Sequence, residues 1–252
     1  MKSILMVFVL SVSLLACTSA QKKIHKANDQ DPQYQYNMGL VYLNNGDVDR
    51  AILYFKKALK LNPEYDLAFN SMGLAYSMKG ELEKSVEYFQ KCIQINPVLT
   101  EAHNNLGAVY QEIGLLDKAE QQFKITISDK NYKSKELPYF NLARLYHLQE
   151  KTQEALNAIE MSLESNNRMV MTHNLKGVIL EGLNKLDEAI DSYQTAQKIA
   201  PDDVNISFNL AVAYFKNNEV EKAKEIFERI RDKTSDLEMK NQIDQYLKVI
   251  KN

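Results

Sequence analysis

The chain has no tryptophan, two cysteines among 252 residues, and eight glycines that never crowd together. The shortages of cysteine and glycine each exclude a class of function. Cys17 and Cys92 cannot build a disulfide framework, and neither has a histidine or second cysteine at a metal-ligand spacing. A phosphate-cradling loop needs several glycines close together, and packing and turn positions take all of them but Gly182, so no Walker sequence, dinucleotide fingerprint or nucleophile elbow is present. The four histidines (His25, His103, His147 and His173) include no pair at i, i+4, which leaves a zinc hydrolase without its ligands. A formal net charge of −2, with no basic face along the sequence, gives no footprint for nucleic acid. No cofactor, metal or small-molecule substrate is expected, and no catalysis.

Long apolar runs are also missing beyond the N-terminus. The one run, Ile4 to Leu15, is 12 residues long, well short of the about 20 that cross a bilayer. Lys2 precedes it and Ala16-Cys17-Thr18-Ser19 follows, the pattern of a secretory signal. Leu14-Leu15-Ala16-Cys17 resembles the bacterial lipobox, in which the signal is cut before a cysteine that becomes acylated. The resemblance implies a signal peptide over 1–16, a lipid on Cys17 and a polar tether over 17–31. An ordinary signal peptide that happens to contain a cysteine is the alternative. A multi-chain lipid holds a protein firmly, since each buried CH2 adds roughly 0.8 kcal/mol.

What the sequence does have is a period. Gly39, Gly73 and Gly107 are 34 residues apart, as are Tyr42, Tyr76 and Tyr110, and Phe55, Phe89 and Phe123. A small residue recurs at the eighth position (Gly39, Gly73, Gly107, Ala143, Gly177, Ala211) and at the twentieth (Ala51, Ser85, Ala119, Ala155, Ala189, Ala223). Pro63, Pro97 and Pro201 close units, as a residue without an N–H should. Gly46, Gly80 and Gly114 fall at the fifteenth position, a turn. This period and order resemble the tetratricopeptide repeat, a helix-turn-helix unit. The resemblance implies an all-α, right-handed α-solenoid of six repeats (32–65, 66–99, 100–133, 136–169, 170–203 and 204–237) plus a capping helix over 238–252.

Both ends carry signals of their own. Asp31-Pro32 offers an N-cap followed by proline at the first helical position. Ser235 and Glu238 have capping-box spacing, and Met239, Ile243, Leu247 and Ile250 then form one apolar stripe that should cover the last repeat. Cys92, His103 and His173 occupy packing positions of the repeat. Glu81/Glu83 and Asp187/Glu188 begin second helices, where carboxylates suit the positive end of the dipole.

In the tetratricopeptide family the first helices line a concave groove, and the matching positions here are both polar and oily. Asn37, Asn105, Asn141 and Asn209 stand at the sixth position, with Asn70, Asn104 and Asn174 at the fifth. An amide both donates and accepts, so this ladder could grip a peptide backbone; a purely local role is the alternative. Tyr36, Leu40, Leu43, Leu67 and Leu74 should point inward, followed by Leu137, Phe140, Met171, Val178, Phe208, Val212 and Phe215. Tyr36, Leu40 and Leu43 are expected to project into the groove, clear of the second helix. Carboxylate-clamp repeats carry asparagine at the ninth position; Leu40, Leu74, Ala108, Arg144, Val178 and Val212 stand there, which argues against capture of a free acidic C-terminus.

An acylated cysteine, a short tether and six such repeats resemble the type IV pilus pilotin lipoproteins. That resemblance implies an outer-membrane lipoprotein, facing the periplasm, that binds the pilus secretin and promotes its localisation and assembly. Thr18, where an aspartate commonly signals inner-membrane retention, agrees with outer-membrane sorting. Two rival readings stand beside it: a general envelope scaffold that tethers cell-wall enzymes or another assembly machine, and an enzyme whose active site hides in the solenoid, against which the glycines and scattered histidines argue.

Overall fold

The structure is a computed structural model and describes residues 29–251. The signal peptide, Cys17 and the tether up to Asn28 lie outside the described residues. Thirteen α-helices occupy the described chain, and no strand is found among those residues. They are α1 (Pro32–Asn44), α2 (Val48–Leu61), α3 (Asp66–Met78), α4 (Leu82–Ile95), α5 (Thr100–Ile113), α6 (Leu116–Ser128), α7 (Glu136–Leu148), α8 (Thr152–Ser165), α9 (Val170–Gly182), α10 (Leu186–Ile199), α11 (Val204–Lys216), α12 (Val220–Arg231) and α13 (Leu237–Lys251). The chain divides into two compact units, Met1–Gln122 and Phe123–Asn252, with the boundary inside α6.

In the first unit, α1 pairs with α2 and α3 with α4, and the first helices α1, α3 and α5 lie side by side. The pairing depends on glycine. A methyl group built on Gly73 would lie 2.6 Å from the Phe89 ring, and one on Gly39 would strike Phe55. Only a hydrogen at those positions lets the aromatic ring of the second helix lie flat against the first. Ser85 serves the same small site differently: its hydroxyl donates to the Gly73 carbonyl at 2.7 Å. Asp31 caps α1 by accepting from the Gln33 N–H, with Pro32 next, as its sequence indicates.

The turn inside each repeat uses one left-handed residue. Gly46, Gly80 and Gly114 have φ of +76°, +72° and +87°. The following N–H then reaches back to a tyrosine carbonyl: Asp47 to Tyr42, Glu81 to Tyr76 and Leu115 to Tyr110, at 2.9, 2.9 and 2.8 Å. This satisfies carbonyls that the ending helix would leave open.

The second unit repeats the plan. Helices α7 and α8, α9 and α10, and α11 and α12 form pairs, and α7, α9 and α11 again neighbour one another. Gly177 lies under the Tyr193 ring, with 2.5 Å left for a methyl group. The last core cluster runs from Leu180 and Tyr193 through Leu210, Phe227 and Ile230 to Ile243 and Leu247 of α13. Met239 and Ile250 are half-buried against it, so the stripe covers the final repeat.

The start of α13 corrects the capping box. The cap is Asp236, whose carboxylate accepts from the N–H groups of Glu238 (2.8 Å) and Met239 (3.2 Å). Ser235 is exposed, and Thr234 accepts the Asp236 N–H instead. A carboxylate is the stronger acceptor at the positive end of a helix, so α13 begins one residue later than a serine cap would place the first turn.

Candidate functional site

The first-helix face of the first unit is less open than its sequence suggests. Tyr36, Leu40 and Leu43 are half-buried and pack against the core of Ala51, Ile52, Phe55, Met72, Ala75 and Tyr76. The Tyr36 ring lies 5.9 Å from Phe55 and 5.1 Å from Tyr65, so the expectation that these side chains clear the second helix does not hold. The cause is local. Tyr36 sits one turn before Gly39, where the missing Cβ brings α2 close enough for Phe55 to meet both residues. Leu67 is exposed and Leu74 half-buried.

Two pairs of asparagines tie neighbouring repeats together. In the first unit the Asn105 amide donates to the Asn70 carbonyl oxygen at 3.2 Å, and in the second Asn209 donates to Asn174 at 3.0 Å. The sixth position of one repeat thus binds the fifth of the repeat before it. Asn70 and Asn141 are buried, while Asn37 is exposed and accepts from Gln33 at 3.0 Å.

In the second unit the first-helix face opens into a cleft of about 840 Å³. Val178 of α9 and Phe208, Val212 and Phe215 of α11 supply one wall, and Tyr246 and Val249 of α13 the other, with Asn209, Gln242 and Gln245 as polar lining. A second hollow of about 340 Å³ shares His147 and Val178 with it and adds Phe140, Arg144, Leu148 and Met171. Met171 is 52% exposed, and Leu148 and Val249 are each 61% exposed. Phe140 contributes an edge only, being buried.

The aromatic wall is ordered by α13. Tyr246 stacks on Phe227 (5.0 Å, 12° between planes) and meets Phe215 edge-on at 5.2 Å and Phe208 at 6.3 Å. Tyr246 and Val249 were not legible as lining, because the stripe on α13 accounts for that helix as a cap. The signal was available: Tyr246 stands three residues after Ile243, at the edge of the stripe.

The charges of the cleft are largely internal. Lys216 holds Glu181 at 2.7 Å and the Tyr193 hydroxyl donates to it at 3.0 Å. Hydrogen bonding to Glu181 holds the Lys216 ammonium above its ordinary pKa, and burial, then Glu181, pushes the Tyr193 hydroxyl up. Arg144 lies over the Phe140 ring, 5.9 Å from its centroid.

His147 lines the cleft and the hollow, whereas Cys92, His103 and His173 are occupied elsewhere. Cys92 is fully buried, and desolvation, reinforced by Asp66, pushes its thiol up to about 12, far from a reactive thiolate. His103 is held between Gln122 and the Pro97 carbonyl, and His173 donates to the Asn167 carbonyl at 2.8 Å. Among the described residues no three His, Cys, Asp or Glu side chains are placed to hold a metal, and no helix is long and apolar enough to cross a membrane.

This arrangement, apolar side chains on a row of first helices, suits a protein partner. Models of the tetratricopeptide repeat match residues 32–65 and 67–97, 88–121, 140–204 and 181–241. No curated protein matches the chain significantly by sequence. Among solved structures, PilW, a widely conserved type IV pilus biogenesis factor, superposes with a TM-score of 0.78 at 15% identity, covering 84% of this chain and 97% of its own. PilF of Pseudomonas aeruginosa gives 0.75 at 16% identity, covering 87% and 99%. A chain of the Cut9–Hcn1 hetero-tetramer of the APC/C also gives 0.75, at 17% identity, covering 88% of this chain but only 43% of its own. The chain belongs to the tetratricopeptide repeat family, a protein-interaction scaffold whose fold matches those of the pilus biogenesis proteins PilW and PilF.

Proposed function

We propose that this protein is a pilotin of type IV pilus biogenesis: a lipoprotein anchored through Cys17 to the outer membrane, facing the periplasm, that binds the pilus secretin and promotes its assembly. The observation that carries the proposal is the two-way length match. This chain and the PilW and PilF structures each cover most of the other, so the likeness is of whole architecture rather than of a few shared repeats. The Leu14-Leu15-Ala16-Cys17 sequence supplies the anchor, and Thr18 fits outer-membrane sorting. The apolar first-helix face of the second unit supplies a docking surface.

The test is genetic and biochemical. In a strain lacking the gene, secretin multimers should disappear from the outer membrane and return with the wild-type protein. Cys17→Ser should abolish palmitate labelling and membrane fractionation while leaving the purified protein's melting unchanged. Normal secretin rings in the deletion strain would overturn the pilotin assignment.

A further inference from the structure

The lining of the second unit's face leaves one charge without a counter-charge. Among the described residues Glu181 is the only acidic one lining the cleft or the adjoining hollow, and it is taken by Lys216 and Tyr193. Arg144 has no carboxylate within ion-pair distance among the described residues; its guanidinium lies over Phe140, with exposed Met171 and Leu148 beside it. The ninth position is apolar in the other repeats, at Leu40, Leu74, Ala108, Val178 and Val212, so this cation interrupts an oily row.

Physical chemistry then selects the occupant. A guanidinium resting on a ring keeps its N–H edge free, and that edge matches a carboxylate with two parallel hydrogen bonds. A purely apolar segment lying over Met171 and Leu148 would strip water from Arg144 and give nothing back, which is costly. A basic segment would meet a like charge as well. Building on the assignment of this face as the partner surface, we propose that its occupant is a protein segment presenting bulky apolar side chains together with an internal Asp or Glu, and that Arg144 reads that carboxylate. A free C-terminus is not required.

A random peptide display library panned on the whole purified protein tests this, with Arg144→Glu and Met171→Glu panned in parallel. Both changed side chains are exposed, so circular dichroism should show helix content unchanged. Wild type should enrich sequences that combine apolar pairs with an acid. A synthetic copy of the winner, with an amidated C-terminus, should bind about tenfold more weakly to Arg144→Glu, or when its acid is changed to asparagine. Arg144→Glu should enrich Lys or Arg in place of the acid. Enriched peptides with no acidic preference, blocked by Met171→Glu but indifferent to Arg144→Glu, would overturn the acidic occupant and leave the docking face standing. No enrichment, or binding indifferent to both changes, would overturn both.

Discussion

In the first unit the turn inside each repeat is carried by Gly46, Gly80 and Gly114; in the second, the same register holds Glu150, Asn184 and Asn218. The backbone does the same thing in both. Glu150, Asn184 and Asn218 take φ of +58°, +58° and +62°, and the next N–H still reaches back to Tyr146, Leu180 and Tyr214 at 2.9 Å. The units differ again at their ends. Among the described residues the first repeat opens on the Asp31 cap with Pro32, whereas the last repeat lies under a whole helix. The repeat therefore fixes a backbone path and tolerates several residues along it, while the ends are where new surface is made. The cleft between α11 and α13 is a product of that capping helix.

The largest effect should come from removing that helix. Deleting Leu237–Asn252 strips the fully buried Ile243 and the nearly buried Leu247 from Phe227 and Ile230. Burial of each aliphatic side chain is worth roughly 1.5–3 kcal/mol, and Phe227 loses its stacked Tyr246 besides. Asp31→Ala at the other end removes one cap, worth about 1 kcal/mol. Thermal melts should show the truncation falling much further; equal midpoints would mean that α13 is not a cover.

Next come the packing glycines, one in each unit. Gly73→Ala and Gly177→Ala both force a methyl group into a ring less than 3 Å away, an overpacking of about 1–3 kcal/mol. The second unit should suffer more. Tyr193 is held by its hydroxyl on Glu181, which Lys216 also holds, whereas Phe89 has no polar tether and can tilt aside. Urea titrations of the two variants measure the difference, and a larger loss for Gly73→Ala would show that the hydroxyl tie does not fix the ring.

Much of this was written in the period. Glycine under an aromatic ring sixteen residues on is a pairing rule that can be read directly, since Gly39 with Phe55, Gly73 with Phe89 and Gly177 with Tyr193 share one spacing. The turn at Glu150 was not legible, because nothing about glutamate announces a left-handed residue; only its register does. The site was half visible. Val178, Phe208, Val212 and Phe215 are predictable as lining from first-helix positions. Tyr246 and Val249 come from another helix, and sequence spacing within a repeat says nothing about how a capping helix tilts. Tyr36 failed in the opposite sense, as an apparent groove residue drawn into the core beside a missing Cβ.

The turns allow a reciprocal exchange. Gly80→Ala places a Cβ on a backbone at φ +72° and should cost about 1 kcal/mol, although no neighbour lies within 4 Å. Glu150→Gly should instead stabilise by about 0.5–1 kcal/mol, because relief of the left-handed strain exceeds the added freedom of the unfolded chain. Asn184→Gly should gain less, since asparagine tolerates that region better than glutamate. Denaturant midpoints for the three variants should order in that way; a destabilised Glu150→Gly would mean that its side chain does something in the turn.

The smallest effect concerns acid, and it separates two kinds of ion pair. In the first unit Lys84 pairs with Glu81 three residues earlier, so the contact stays within one helix start. In the second, Arg231 of α12 grips both carboxylate oxygens of Asp244 on α13, which ties the last repeat to its cover. Hydrogen bonding to Arg231, helped by its charge, holds the Asp244 carboxyl below its ordinary value of 3.8. A depressed folded pKa means stability that is present above the unfolded value and lost as pH falls through the folded one. About half of each side chain is exposed, so solvent screens the pair and the change is small. Its location makes it detectable: hydrogen exchange at Ile243 and Leu247 should speed up below pH 4 relative to the core of α11, beyond the change in intrinsic rate. Asp244→Asn should remove that acid dependence and set α13 at its loosened level throughout. Glu81→Gln, by contrast, should leave exchange in α13 untouched. If Asp244→Asn retains the acid loosening, the carboxylate that holds the cover is a different one, and the Arg231 pair is only a surface contact.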